Sequence, residues 1–308
     1  MIRASRRGYL SPGEMFPGAD PAYRVSFPRL RSGLRVRVVE RGNPNALPVV
    51  LIHGWGCSAY IFRYNLPALA DAGYRPIAVD LKGHGLSDKP GSKIEYSAEA
   101  LVDHIRDILD ALGIARARLV GHSMGGVLVY LFASRFPERV ESLGLLSPVG
   151  LTGVPLMWLY RLLTPEWLAP FVHFIRPRAA VRIALKRVYG KRGTFTTRDV
   201  EEYVAPFQFP DYAPAMRALL HEFDWEVARH YPLAKVTTRA AGVFGTLDHL
   251  MPRDGMAIYE KLVPGIPITP IIDAGHVTTE ETPDEVNSVL CALLGGKERA
   301  PAILQLNE

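Results

Sequence analysis

Short β-branched runs alternate with helical patterns along most of this chain, and that alternation limits the fold more than any other feature. The runs are Arg35–Glu40, Val49–His53, Arg75–Asp80, Leu119–Gly121, Leu143–Leu146, Ala241–Phe244 and Ile268–Ile272. An earlier run at Tyr23–Phe27 joins Arg35–Glu40 through a Ser32-Gly33 hairpin turn. Helical periodicity fills the gaps at Ala59–Ala72, Ala98–Leu112, Met124–Arg135, Gly255–Leu262 and Pro283–Leu294. Ser97 caps one of these ahead of the stripe Leu101, Ile105, Ile108, Leu112, and Gly113 stops it. Strand and helix in alternation require right-handed crossovers, so the expected fold is α/β, with a mostly parallel sheet and helices on both faces.

The alternation fails between Pro148 and Val236. That stretch is rich in Leu, Trp, Phe and Arg and reads as helical. The expected organisation is a core from residues 1–147 and 237–308, with 148–236 inserted as a helical cap. Such a cap lies over the carboxyl edge of the sheet, where ligands of open parallel sheets bind.

Composition excludes several classes. At 308 residues and 48% hydrophobic the chain can bury a full core. Its net charge of +5 is concentrated in the first forty residues and between Arg176 and Arg198, with no nucleic-acid-recognition signature beside either run. Nucleic acid is not an expected partner. Cys57 and Cys291 are the only cysteines, too few for a disulfide framework. The first residues are basic but never develop the apolar core of a signal peptide. The apolar stretch Val154–Ile175 is broken by Arg161, Glu166 and the prolines 155, 165 and 170, so it does not read as a spanning helix. The expectation is a cytoplasmic protein.

The chemistry centres on Gly121-His122-Ser123-Met124-Gly125-Gly126, between an apolar strand and a helical run. G-x-S-x-G in that context is a nucleophile elbow, whose glycines allow a tight turn and lift the serine hydroxyl clear of the sheet. A serine needs a base to take its proton. His276 ends the last apolar strand, Ile271-Ile272-Asp273-Ala274-Gly275-His276, at the edge where Ser123 emerges, and is the candidate. His53, His84 and His122 sit in glycine-flanked turns and are expected to make structural hydrogen bonds; His104 is expected on the surface. Asp248, after the preceding run, is the candidate to orient the imidazole. Asp273 is too close in sequence to face the ring's outer nitrogen, and Leu146-Ser147-Pro148-Val149 offers no acid. The backbone N–H groups of Met124 and Trp55 are the candidate oxyanion hole.

His53-Gly54-Trp55-Gly56, Asp80-Leu81-Lys82-Gly83-His84-Gly85-Leu86-Ser87-Asp88 and Gly121-His122-Ser123-Met124-Gly125-Gly126 resemble the successive motifs of the α/β-hydrolase superfamily. Gly245-x-x-Asp248 and Gly275-His276 continue the series. The resemblance covers roughly residues 25–148 and 236–295. It implies an eight-stranded α/β-hydrolase sheet, a Ser123–His276–Asp248 triad and an acyl-enzyme mechanism. The epoxide hydrolase and haloalkane dehalogenase branches resemble this pattern too, but carry aspartate where this chain has Ser123.

The function expected is a carboxylesterase acting on a small-to-medium apolar ester, needing neither metal nor organic cofactor. A hydrolase cleaving a C–C bond beside a ketone uses the same three groups, and a ligand receptor of the same fold would use none. Arg178, Arg182 and Lys186 lie opposite Val181, Leu185, Val188 and Tyr189 on an amphipathic helix. That helix and the apolar Val154–Ile175 segment raise a weak membrane-surface contact through the cap. Trp158, Trp167, Phe171, Phe174, Phe207 and Phe209 are candidates for an apolar pocket roof. Oligomeric state is left open.

Overall fold

Eight strands form one sheet in the order β1-β2-β4-β3-β5-β6-β7-β8. They are β1 (Tyr23–Ser26), β2 (Val38–Arg41), β3 (Pro48–Ile52), β4 (Arg75–Val79), β5 (Ala117–His122), β6 (Val140–Leu146), β7 (Arg239–Gly245) and β8 (Ile268–Ile271). Pairing of β2 with β1 and with β4 is antiparallel; every other pair is parallel. The computed structural model describes residues 8–167, 177–230, 233–252 and 255–295.

The period-two geometry of a strand sends neighbouring side chains to opposite faces. Val50, Ile52, Ile77 and Val79 accordingly join one apolar cluster, with Val49, Leu51 and Ala78 in the other. The first cluster takes in α2 (Ala98–Ala111) and α3 (Met124–Arg135), through Leu101, Ile105, Val127 and Leu128. The second takes in α1 (Asn65–Asp71), through Leu66 and Leu69, and the C-terminal helix at 283–294, through Val286 and Leu290. Burial on both faces is why these strands read as continuous apolar runs rather than alternating ones.

The chain between β6 and β7 carries no strand among its described residues. It contains α4 (Met157–Leu163), α5 (Pro177–Val188), α6 (Thr197–Val204), α7 (Tyr212–Glu222) and α8 (Val227–His230). After β7 come α9 (Gly255–Leu262), then, following β8, α10 (Thr278–Glu281) and α11 (Pro283–Leu294). On α5 the apolar side (Val181, Leu185, Val188) packs with Val200 and Val204 of α6. Arg178, one turn ahead of Val181 on the same side, is paired with Glu201 of α6 at 2.7 Å.

Three expectations are corrected. The helix expected over Ala59–Ala72 is a 3₁₀ turn at Ala59–Phe62 followed by α1. Pro67 has no N–H to give the Arg63 carbonyl, so the helix restarts with the proline in its first turn. His104 is buried, not on the surface. The glycine-rich loop after β4 folds back over α2, and the Lys82 N–H donates to His104 Nε2 at 3.0 Å. Strands β5, β6 and β7 begin earlier than their apolar runs, because polar residues such as Arg118 and Ser142 still pair in the ladder.

Candidate active site

Ser123 sits between the end of β5 and the start of α3 with φ of +57°, outside the regions a side chain ordinarily allows. The surroundings impose that conformation. The Ser123 N–H donates to the Leu146 carbonyl of β6 at 3.0 Å. A Cβ on Gly121 would overlap the Gly125 carbonyl, and one on Gly125 would overlap the Ile52 carbonyl at the end of β3. The turn therefore closes only with glycine at both positions.

His276 lies five residues beyond the end of β8 at Ile271, rather than terminating that strand. Its Nε2 is 2.8 Å from Ser123 Oγ and its Nδ1 is 2.7 Å from Asp248 Oδ2. A carboxylate partner assigns the Nδ1 proton, leaving the Nε2 lone pair to accept the serine O–H. Asp248 follows β7, and its Oδ1 accepts the Leu250 N–H at 2.8 Å. Burial by itself raises this carboxyl; the facing His276 and the Leu250 N–H outweigh it and hold Asp248 below its usual range. Asp273 stands apart: it is half-buried and its carboxylate lies 3.7 Å from Lys191 Nζ.

The turn after β3 comes up beside the serine. A Cβ on Gly54 would stand 2.6 Å from Ser123 Cβ. Among the described residues, the N–H groups of Trp55 and Met124 make no hydrogen bond within the chain. Both flank the serine in sequence or space, and Met124 opens α3, where the helix end favours negative charge. The Trp55 side chain runs the other way: its Nε1–H donates to the Met216 carbonyl of α7 at 3.0 Å.

His53, His84 and His122 are in buried hydrogen-bonding positions. His53 Nδ1–H donates to the Gly54 carbonyl at 2.8 Å, and its Nε2 accepts the Leu81 N–H at 3.0 Å. His122 Nε2–H donates to the backbone carbonyl of His276 at 3.0 Å. Burial, reinforced by the nearby His276 ring, pushes His122 down to about 3, so it stays neutral. That link between elbow and base loop has no signal in sequence, since 154 positions separate the residues. Burial, with the Glu280 charge, raises the Cys57 thiol above its usual range and so disfavours the thiolate. Among the suggested roof residues, Phe207 and Phe209 pack on the main core, whereas Trp158 and Trp167 are 66% and 70% exposed. The outward side chains of those two correct their assignment to a roof. Phe171 and Phe174 lie outside the described residues.

Sheet order, an elbow after the central strand and a serine–histidine–aspartate line together define an α/β-hydrolase. The family model for the alpha/beta hydrolase fold matches residues 48–174. The acetyltransferase component of an acetoin cleaving system from Pseudomonas putida is 30% identical, over 90% of this chain and 71% of that one. This chain belongs to the α/β-hydrolase family. It is also similar to bifunctional epoxide hydrolase 2 of Sus scrofa, at 28% identity over 89% of this chain. There it spans 56% of the relative's length, about half of the curated relative it matches. The crystal structure of Cfl2 from Burkholderia cenocepacia superposes with a TM-score of 0.78 at 26% identity, covering 88% of this chain and 96% of that one.

Proposed function

We propose that this chain is a serine hydrolase that cleaves a small-to-medium apolar carboxylic ester through an acyl-enzyme on Ser123. The observation that carries the reading is the unbroken line from Asp248 to His276 to the Ser123 hydroxyl, at 2.7 and 2.8 Å. In this reading His276 Nε2 takes the serine proton as Oγ bonds to the ester carbonyl carbon. The oxyanion meets the N–H groups of Met124 and Trp55, each such donor being worth about 10²–10³ in rate. The imidazolium returns its proton to the departing alkoxide. Water, deprotonated by the same Nε2, then attacks the acyl-enzyme and releases the acid and free serine.

Relatives named as epoxide hydrolases raise epoxide opening as a competitor, and the chemistry of serine weighs against it. Attack of Oγ on an epoxide carbon would leave an alkyl ether, with no carbonyl for water to attack, so the enzyme would stop after one event. The acetyltransferase name of the Pseudomonas putida relative fits the same acyl-serine stage, with an acceptor other than water. The test is turnover of p-nitrophenyl esters from two to sixteen carbons, alongside a vinylogous diketone and an added alcohol acceptor. Ester hydrolysis with fluorophosphonate labelling at Ser123, both lost in Ser123→Ala, supports the reading. Retained turnover in that variant overturns it.

A weak membrane-surface contact through the inserted helices is the second part of the proposal. Trp158, Leu162 and Leu163 of α4 and Trp167 beyond it all face solvent, which is the pattern of an interfacial segment. Arg182 and Lys186 of α5 are exposed as well and supply positive charge for anionic lipid. Co-sedimentation with anionic vesicles at low salt checks it; a protein that stays wholly in the supernatant refutes it.

A further inference from the structure

Four residues, Ile272 to Gly275, separate β8 from His276, and none of them lies in a helix or strand. A free segment of that length does not hold an imidazole to the fraction of an ångström that proton transfer requires. The inserted chain after α5 supplies the restraint. His276 N–H donates to the Val188 carbonyl at 2.7 Å, and Lys191 N–H donates to the Asp273 carbonyl at 2.7 Å. The two backbones touch at a pair of glycines. A Cβ on Gly190 would lie 2.5 Å from Gly275 N, and one on Gly275 would overlap the Val188 carbonyl.

Glu281, at the end of α10, closes this contact. Its carboxylate is buried, with 7% of the residue exposed. Oε1 accepts the Gly275 N–H and Oε2 accepts the Gly190 N–H, both at 2.8 Å. One side chain thus joins the loop carrying the base to the segment leaving α5. Neighbouring Glu280 serves a different set, taking the hydroxyls of Tyr189 and Tyr203 and the guanidinium of Arg63.

We propose that Glu281 is a positioning residue: by bridging the N–H groups of Gly275 and Gly190 it clamps the His276 loop to the inserted segment and sets the approach of Nε2 to Ser123. The inference rests on the serine-hydrolase reading above. Glu281 touches none of the groups in the Ser–His–Asp line; it acts through the backbone next to His276. A clamp of this kind controls rate more than affinity, since a displacement of about 1 Å at a reacting group costs about 10²-fold.

The test compares three variants on one ester. Glu281→Gln keeps the shape but turns an N–H against an N–H. It is expected to lower kcat about 10–100-fold with KM changed less than about threefold, and to slow fluorophosphonate labelling in parallel. Gly190→Ala attacks the clamp from the other side and gives the same kcat-selective loss. Tyr189→Phe removes an adjacent hydrogen bond to Glu280 and leaves kcat unchanged. A folded Glu281→Gln or Gly190→Ala enzyme with wild-type kcat overturns the inference. Amide exchange on the unaltered protein judges it even if both variants fail to fold. Gly190, Gly275 and His276 should exchange as slowly as the β7 amides, and fast exchange there rejects the clamp. If the unaltered protein neither labels nor turns over esters, the hydrolase reading fails instead, and the exchange result still decides on the clamp.

Discussion

The elbow at Ser123 and the outer arm at α4 are built on opposite physical terms. Around the elbow every neighbour is backbone or buried side chain, and a single added methyl at Gly121 or Gly125 has nowhere to go. No described residue of α4 is buried. Apart from Met157, which packs partly buried on the main core, it is fastened by polar contacts: Arg161 donates to the Leu220, His221 and Phe223 carbonyls, and Arg217 donates to the Thr164 carbonyl. Segments with few apolar contacts open locally at low cost, whereas close-packed cores open only with the whole domain. In the serine-hydrolase reading, chemistry resides where the backbone has no freedom, and the outer arm is free to vary without disturbing it.

Breaking the first side gives the largest effects. Ser123→Ala should lower ester turnover about 10⁴–10⁶-fold with the fold unchanged, as read by initial rates and circular dichroism. Asp248→Asn should follow at about 10⁴-fold in kcat, because the amide favours the wrong tautomer of His276; an undiminished rate would detach Asp248 from the mechanism.

The buried ion pairs come next. Arg37 and Asp80 are both sealed in the core and lie 3.1 Å apart, while Asp80 also accepts the Ala59 and Leu86 N–H groups. Burial raises the Asp80 carboxyl, but Arg37, His53 and those N–H groups outweigh it and hold it below its ordinary value. A carboxyl depressed in the folded state adds stability that is present above its unfolded value, near 3.9, and is lost as pH falls through its folded value. The thermal midpoint should therefore drop as pH falls below about 4. Asp80→Asn strands a buried guanidinium and should cost about 3–5 kcal/mol in urea denaturation at neutral pH, with a flatter acid dependence. The exposed Lys93–Glu166 pair beside the outer arm supplies the contrast. Lys93→Ala should leave the urea midpoint where it was.

The smallest effect sharpens the comparison from the other side. Trp158→Ser combined with Leu162→Ser should change stability by less than about 0.5 kcal/mol, since neither side chain contributes to a core. Activity on a soluble short-chain ester should be unaffected. Vesicle binding is the property expected to disappear, and a core-like loss of stability would show that α4 is packed more tightly than its exposure implies.

Much of the molecule was legible in the linear chain because it depends on near neighbours. Helices α3, α9 and α11 start and stop where periodicity, Pro283 and the elbow glycines place them. The residues of the Ser–His–Asp line could be picked out because each follows an apolar run, and parallel strands send such positions to one edge of a sheet. What local pattern could not supply were contacts between segments far apart in sequence. His104 looks like a surface residue on its own helix and is buried only because the Lys82 loop returns over it. Trp55 shows no sign in sequence that its indole reaches Met216, 161 residues away. His122 and Glu281 likewise gain their partners at His276, Gly190 and Gly275 only after the sheet and the inserted helices have assembled. Turn chemistry and hydrophobic period are set within a few residues, so the chain alone determined the sheet, its helices and the turns that present the candidate catalytic groups. How firmly those groups are held depends on hydrogen bonds between residues far apart in sequence, 91 positions for Glu281 and Gly190 and 154 for His122 and His276, and only the tertiary structure decided that.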